Sequence, residues 1–332
     1  MATIYEVSAL AGVSLSSVSR VLNDHEHVSK KTKQKVVAAM DKLNYRPNTI
    51  ARSLASRRSN SIGVLVSELH GPFFGAMLSS IELELRNAGK HTVITAGHSD
   101  KDSEVKGLDF LIDRKCDALI LLVDAISDDY LIELNKGSIP FVILNRYIPE
   151  IKDNCFYLDN ELGGYLAAQH LINLGHSDIA YISGPLTKQD STERLIGHKK
   201  ALVEANIIFN EDLLYEGNYF IKSGYEGINA LLKNNNTFTA VACSNDEMAS
   251  GAMKGARDQQ ISIPEQCSFI GFDNAFFTEC LYPQLTTINF PVADMAKMSC
   301  HWILKNVYKQ KELEIFNMFV PALIKRMSVQ KI

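Results

Sequence analysis

No C-x-x-C pair occurs in this sequence. Its six cysteines, Cys116, Cys155, Cys243, Cys267, Cys280 and Cys300, are scattered, several of them in apolar runs, which favours buried reduced thiols over zinc or a disulfide framework. No window approaches the roughly 18 uninterrupted apolar residues that a membrane-spanning helix needs. The opening MATIYEVSALAGVS lacks the charged start and long apolar core of a secretion signal, so a cytoplasmic chain is expected. Catalytic signatures are missing as well: there is no G-x-x-x-x-G-K-[ST], no G-x-G-x-x-G after a strand, no H-E-x-x-H and no G-x-S-x-G. His25-Glu26-His27 has the wrong spacing for a helical metal face, and His170 and His176 fall at a helix end, where imidazole packs or caps. No catalytic residue, metal or cofactor is therefore expected. With 332 residues, 46% of them hydrophobic, the chain is no disordered or collagen-like polymer but has material for two or three domains.

The net charge of -4 argues against a nucleic-acid partner until its distribution is read. Residues 1–60 hold ten lysines and arginines against four acids, a net +6, which leaves -10 on the remainder. A basic head sits on an acidic body.

That head reads as three short helices. Thr3 and Glu6 have the spacing of a capping box, Ile4, Val7, Leu10 and Ala11 fall on one helical face, and Gly12 stands where the first helix should stop. Ser14 can cap a second helix through Leu22, with Val18, Val21 and Leu22 inward and Leu15, Ser16, Ser17 and Arg20 outward. Ser29 can cap a third, carried by Val36, Met40 and Leu43. Two short helices joined by a glycine turn, the second with a polar outer face, make a helix-turn-helix unit. From Tyr45 to Asn60 the pattern becomes YRPNTIARSLASRRSN, room for about two turns of helix, which is marginal in isolation. It reads as a hinge that folds when something holds it.

After Ser61, apolar strand runs (SIGVLV, HTVITA, CDALILLV, PFVIL, DIAYIS, AVACS, CSFIGF) alternate with amphipathic helices. Strands apolar on both faces imply parallel sheets covered by helices, and two series separated near residue 160 imply two similar lobes. In such sheets ligands bind beyond the carboxyl ends of the strands. The residues there are polar: Ser67-Glu68, Gly97-His98, Asp124, Asn145-Arg146, Ser183-Gly184, Ser244-Asn245-Asp246 and Asp273-Asn274. With Phe73, Phe74 or Tyr219 as an apolar floor they suit a polyhydroxylated ligand, although any one of them also fits a helix cap.

The phrases TIYEVSALAGVSLSSVSRVLN, VSKKTKQKVVAAMDKLNYRPNTIARSLA, GPFFGAM, ILNR, LGHSDIAYISGP, ERLIGHKKAL, ACSNDEMASGAM, IGFDN and LTTINFP resemble the LacI/GalR family of bacterial transcription repressors over essentially the whole chain. The resemblance implies a helix-turn-helix head at 1–46, a hinge at 47–60 and a periplasmic-binding-protein-like α/β core at 61–332. Lobe 1 would span about 61–160 and 290–320, lobe 2 about 161–289 and 321–332. It also implies a homodimer on a pseudo-palindromic operator, with Leu15, Ser16 and Arg20 at base edges and Thr3, Ser14, Ser19, Asn23 and His27 near phosphates. In the hinge, Asn48, Arg52 and Leu54 match the family pattern, Leu54 as a minor-groove wedge. For the effector it selects Ser67, Phe73, Phe74, Asn145, Asp159, Arg194, Tyr219, Asn245 and Asp273. The core phrases are most similar to the galactose-responsive members, with the β-glucoside-responsive ones second, so the implied effector is galactose or a galactoside that releases the operator; a co-repressor would use the same site. Two departures stand out. Asn274 replaces the usual second acid after IGFD, and the sole tryptophan, Trp302, lies in a late helix, leaving stacking to Phe or Tyr. The chain stops at Ile332 with no leucine heptad tail, so the implied assembly is a dimer. A sugar-transport binding protein would share the core but not the basic head.

Overall fold

The local signals at the N-terminus govern the first unit. Helix α1 (Ile4–Ala11) opens on the capping box: the Glu6 N–H donates to Thr3 Oγ1 at 3.3 Å and the Thr3 N–H to Glu6 Oε2 at 2.7 Å. Gly12 ends it in the left-handed region, with φ of 64°. Ser14 and Ser29 accept from the Ser17 and Thr32 N–H groups as α2 (Leu15–Leu22) and α3 (Lys30–Lys42) begin. Val7, Ala11, Val18, Val21, Val36 and Ala39 form the buried centre. Leu10 is a correction: the seam of this short helix runs along the i, i+4 pair Val7 and Ala11, leaving Leu10 44% exposed.

The computed structural model describes residues 2–22, 27–46, 58–233 and 237–332, and the chain divides into units 1–60 and 61–332. The expected contacts at Asn23, Asn48, Arg52 and Leu54 lie outside the described residues.

The second unit contains two six-stranded sheets. The first comprises β1 (Ser61–Val66), β2 (His91–Ala96), β3 (Ala118–Leu122), β4 (Phe141–Leu144), β5 (Cys155–Leu158) and β11 (Met318–Phe319), in the all-parallel order β11-β5-β4-β3-β1-β2. The second comprises β6 (Ile179–Ser183), β7 (Leu214–Glu216), β8 (Ala240–Cys243), β9 (Ser268–Asp273), β10 (Thr286–Asn289) and β12 (Ala322–Ile324), in the order β12-β10-β9-β8-β6-β7. There β12 is antiparallel, a departure from the purely parallel expectation at a sheet edge. Helices α4 (Pro72–Asn87), α5 (Lys101–Asp113), α6 (Asp128–Asn135) and α11 (Val292–Asn306) belong to the first lobe. Helices α7 (Asn160–Asn173), α8 (Gln189–Glu204), α9 (Ile221–Lys233) and α10 (Asp246–Asp258) belong to the second. The chain thus crosses between the lobes three times, after β5, after β10 and between β11 and β12.

Burial on both strand faces matches the apolar runs. Ile62, Val64 and Val66 pack toward α4 and α11, while Leu65, Leu119 and Leu121 pack with Leu108 and Leu111 of α5. Five cysteines are buried, whereas Cys280 is exposed. No helix among the described residues is long and apolar enough to cross a membrane.

His198 on α8 is fully buried between the rings of Tyr181 (4.6 Å) and Phe209 (6.1 Å), and neither ring nitrogen has a hydrogen-bond partner. Burial drives its pKa down to about 3 from an ordinary 6.5, so the unfolded chain binds the extra proton and stability is lost as pH falls below 6.5. His198→Leu is expected to stabilise the core at neutral pH by ~1 kcal/mol and to abolish a loss of ~2 kcal/mol between pH 7 and 5. Urea melts at the two pH values check both.

Candidate functional site

Two surfaces concentrate chemistry. On the head, α2 turns Val18 and Val21 inward and leaves Leu15, Ser16, Ser19 and Arg20 exposed on one outer face. Ser14 Oγ sits at its N-terminus, within hydrogen-bond distance of Ser16 Oγ (2.8 Å) and Ser17 Oγ (2.9 Å). Thr3 at the start of α1 and His27 in the turn before α3 are also exposed.

In the core, the carboxyl ends of both sheets face a cavity of about 280 Å³, near the lower end of the ~300–1,000 Å³ typical of small-molecule pockets. The first sheet contributes Ser67 and Glu68 after β1, His98 and Ser99 after β2, Asp124 after β3 and Asn145 after β4. The second contributes Lys188 and Asp190 beyond β6, Asn218, Tyr219 and Phe220 beyond β7, Asn245 and Glu247 beyond β8, and Asp273 at the end of β9. Phe73 and Phe74 in the first turn of α4 supply an apolar wall, and Phe73 packs edge-on to Phe290 at 5.1 Å. His98, Ser99, Asn145, Tyr219 and Asp273 all hold φ between 51° and 107°, a conformation that costs non-glycine residues ~1–3 kcal/mol and clusters where side chains must be aimed.

Arg194, 3% exposed, is the centre of the second lobe's contribution. Its Nε donates to Asn160 Oδ1 at 2.9 Å, its Nη1 to the Ser244 carbonyl at 2.5 Å, and its Cζ lies 3.7 Å from the centre of the Phe272 ring. Asp190 and Asp273 flank the guanidinium at 3.9 and 3.7 Å. Burial pushes the Asp273 carboxyl well above the usual range, against the pull of Arg194. Behind it Asp246, fully buried, is pushed up to about 7 by the same desolvation, although it accepts from Thr287 Oγ1 (2.6 Å) and the Ala275 N–H (2.7 Å).

The lobes touch across the cavity. Lys188 Nζ donates to Asp124 Oδ2 at 2.6 Å, and the same oxygen accepts from Ser67 Oγ (2.7 Å) and Ser99 Oγ (3.0 Å). Asn145 Nδ2 donates to Asp190 Oδ2 at 3.2 Å, and His70 stacks on Phe220 at 5.4 Å. The loop carrying Asp124 is held from below by Glu104, whose buried carboxylate accepts from the N–H groups of Asp124, Ala125 and Ile126 at 2.8–2.9 Å.

Residues 59–313 match the family described as periplasmic binding proteins and sugar binding domain of LacI family, and residues 3–48 match bacterial regulatory proteins, lacI family. The chain belongs to the LacI family. It is 37% identical to the HTH-type transcriptional regulator GalR of Salmonella typhimurium over 329 residues, 99% of this chain and 96% of the relative. It is 35% identical to the HTH-type transcriptional repressor PurR of Mannheimia succiniciproducens over 334 residues, spanning both chains fully. Among solved structures, the lac repressor dimer bound to operator and the anti-inducer ONPF matches with a TM-score of 0.88 at 29% identity, over 99% of each chain. The protein is thus a helix-turn-helix transcriptional regulator with a periplasmic-binding-like sugar-binding core.

Of the nine effector residues selected from the sequence of this LacI-family chain, Ser67, Phe73, Phe74, Asn145, Arg194, Tyr219, Asn245 and Asp273 line the cavity together. Asp159 does not: its carboxylate accepts from the Leu162 N–H at 2.9 Å and caps α7. Asn274 is turned away, accepting from Arg326 Nη2 at 2.8 Å. Lys188, Asp190, His70, Phe220 and Glu247 line the cavity unforeseen. The described residues hold no cluster of three or more His, Cys, Asp or Glu side chains placed for a metal.

Proposed function

We propose that this regulator represses genes of sugar uptake or breakdown and leaves its operator when D-galactose or a galactoside enters the cleft. The buried Arg194 fork between Asp190 and Asp273 carries the reading: fixed donors and acceptors within one small cavity suit adjacent hydroxyls, each both donor and acceptor. The likeness to the galactose-regulator relative supports the choice of sugar. Ligand held by both lobes changes their spacing and with it the presentation of the heads. It acts only through its differential affinity for two states, and a shift from 1:99 to 99:1 needs ~10⁴-fold preference.

On DNA, Leu15, Ser16 and Arg20 take the base edges of the major groove, and Thr3, Ser14, Ser19, Asn23 and His27 the phosphates. In the hinge, Asn48 and Arg52 contact DNA and Leu54 wedges into the minor groove. The working form is a cytoplasmic homodimer. Phe276 (82% exposed), Tyr282 (87%) and Ile221 (50%) lie out in solvent, the first and last beside a shallow groove along Gly71, Pro72, Gly75, Ala76 and Ser79. Such a patch fits a second copy.

Fluorescence anisotropy on a palindromic operator tests the sugar: affinity should fall as galactose is added. An unchanged affinity removes galactose, and a rise makes the ligand a co-repressor. Arg20→Ala is expected to cost ~1–3 kcal/mol, or about 5- to 150-fold, on the cognate operator. Its effect on non-specific DNA should be a small, salt-dependent loss. Equal losses on both DNAs would make Arg20 a phosphate contact.

A further inference from the structure

The charge of the cleft goes further than its hydrogen bonding. Five acidic side chains line it, those of Glu68, Asp124, Asp190, Glu247 and Asp273, against two fixed cations, Lys188 and Arg194. Lys188 is already engaged, and Arg194 is engaged through all but its Nη2, which lies 3.9 Å from Asp190. Lys188 donates to Asp124 at 2.6 Å and to Ser99 at 3.2 Å, and Arg194 spends its Nε on Asn160 and its Nη1 on the Ser244 carbonyl. The ion-pair partners of Glu68 are the imidazoles of His70 (3.4 Å) and His98 (3.2 Å). A second observation points the same way. Asn145 Oδ1, in the same lining, is buried and has no hydrogen-bond partner. It calls for a ligand donor, which a hydroxyl or an ammonium group supplies.

Resting on the reading of this cleft as the effector site, we infer that it selects its sugar by charge, ranking an amine-bearing sugar above the neutral sugar and rejecting the phosphorylated one. A phosphate would have to take Lys188 from Asp124 or settle beside Asp190 and Asp273. One unit charge ~6 Å away at an effective dielectric of ~20 is worth roughly a hundredfold in affinity before screening. The regulator would then report on sugar upstream of any phosphoryl transfer, in the form that glycoside hydrolysis or non-phosphorylating uptake supplies and a sugar kinase consumes.

Calorimetry on the full chain at pH 7 tests the ranking with galactose, its 2-amino and 6-amino derivatives and its 6-phosphate, and with the same set built on glucose. The expected result is at least one amine binding 10-fold or more tighter than its parent hexose, and the phosphate 30-fold or more weaker. The double variant Glu68→Gln with Glu247→Gln removes two of the five acids and should narrow that spread at least threefold, with its melting temperature showing that the fold persists. A phosphate that binds as tightly as the neutral sugar, amines that gain nothing, or a spread left unchanged in the folded double variant each overturn the inference. If no member of either set binds, the sugar reading of the cleft falls and this inference with it. A charge error alone leaves at least the phosphorylated or neutral member bound.

Discussion

Gly164→Ala is expected to lower the unfolding free energy of the core by ~3 kcal/mol or more. Helices α7 and α8 touch backbone to backbone: a Cβ on Gly164 would stand 1.9 Å from the Arg194 carbonyl oxygen, and one on Gly197 1.8 Å from the Glu161 carbonyl oxygen. Neither obstacle is a flexible side-chain tip, so the helices must part. The same arrangement joins α9 and α10, where Gly224 meets the Met248 carbonyl at 2.0 Å and Gly251 that of Ile221 at 1.9 Å. In the first pair the displaced residue is Arg194 itself, so sugar response should fail together with stability. Urea denaturation gives the midpoint, and operator release by sugar gives the response. An unchanged midpoint would mean that the helices can separate without loss.

This coupling of a packing glycine to a binding arginine marks what the sequence can convey. Signals acting over three or four residues were readable: the Thr3–Glu6 box, Gly12 and Ser29 all end or begin helices where the side chains suggest. The buried strands were equally readable because parallel strands covered on both faces are nearly continuous in apolar residues. The short strands β5, β7, β10, β11 and β12 were not, since two to four residues carry too little pattern and their pairing depends on partners far along the chain.

The site divides in the same way. Ser67, Asn145, Asn245 and Asp273 stand at a strand end or within two residues of one and were found by the strand-end rule. Lys188 and Asp190 lie five and seven residues beyond the end of β6, at the start of α8, where a sequence shows only a polar helix entry. Glu104 has the pattern of a solvated helix face, yet it is fully buried because three backbone N–H groups of a distant loop converge on it. Asp159, adjacent to β5 and matching the family pattern, caps a helix instead. A residue type next to a strand end thus marks a possible lining position, while the partner it faces is decided by the other lobe.

Arg194→Lys carries the second large effect: the sugar concentration needed for half-release of the operator is expected to rise about 100-fold, or ~2.7 kcal/mol. Sugar-free operator affinity should change less than threefold. Lysine keeps the charge between Asp190 and Asp273, so the buried acids are not left bare, as they would be in an alanine variant. What it loses is the planar fork. One ammonium cannot bond Asn160 and the Ser244 carbonyl, sit over the Phe272 ring and still offer a directed donor to the ligand. Charge-assisted bonds of this kind contribute ~1.5–3 kcal/mol each, so losing a single ligand contact accounts for the expected shift. Anisotropy titrations with and without sugar, together with calorimetry on the free protein, separate the outcomes. A 100-fold weaker calorimetric affinity with normal operator binding identifies Arg194 as a ligand contact. If sugar binds normally but no longer releases DNA, the arginine instead transmits lobe movement. Unchanged half-release would remove Arg194 from the effector site altogether.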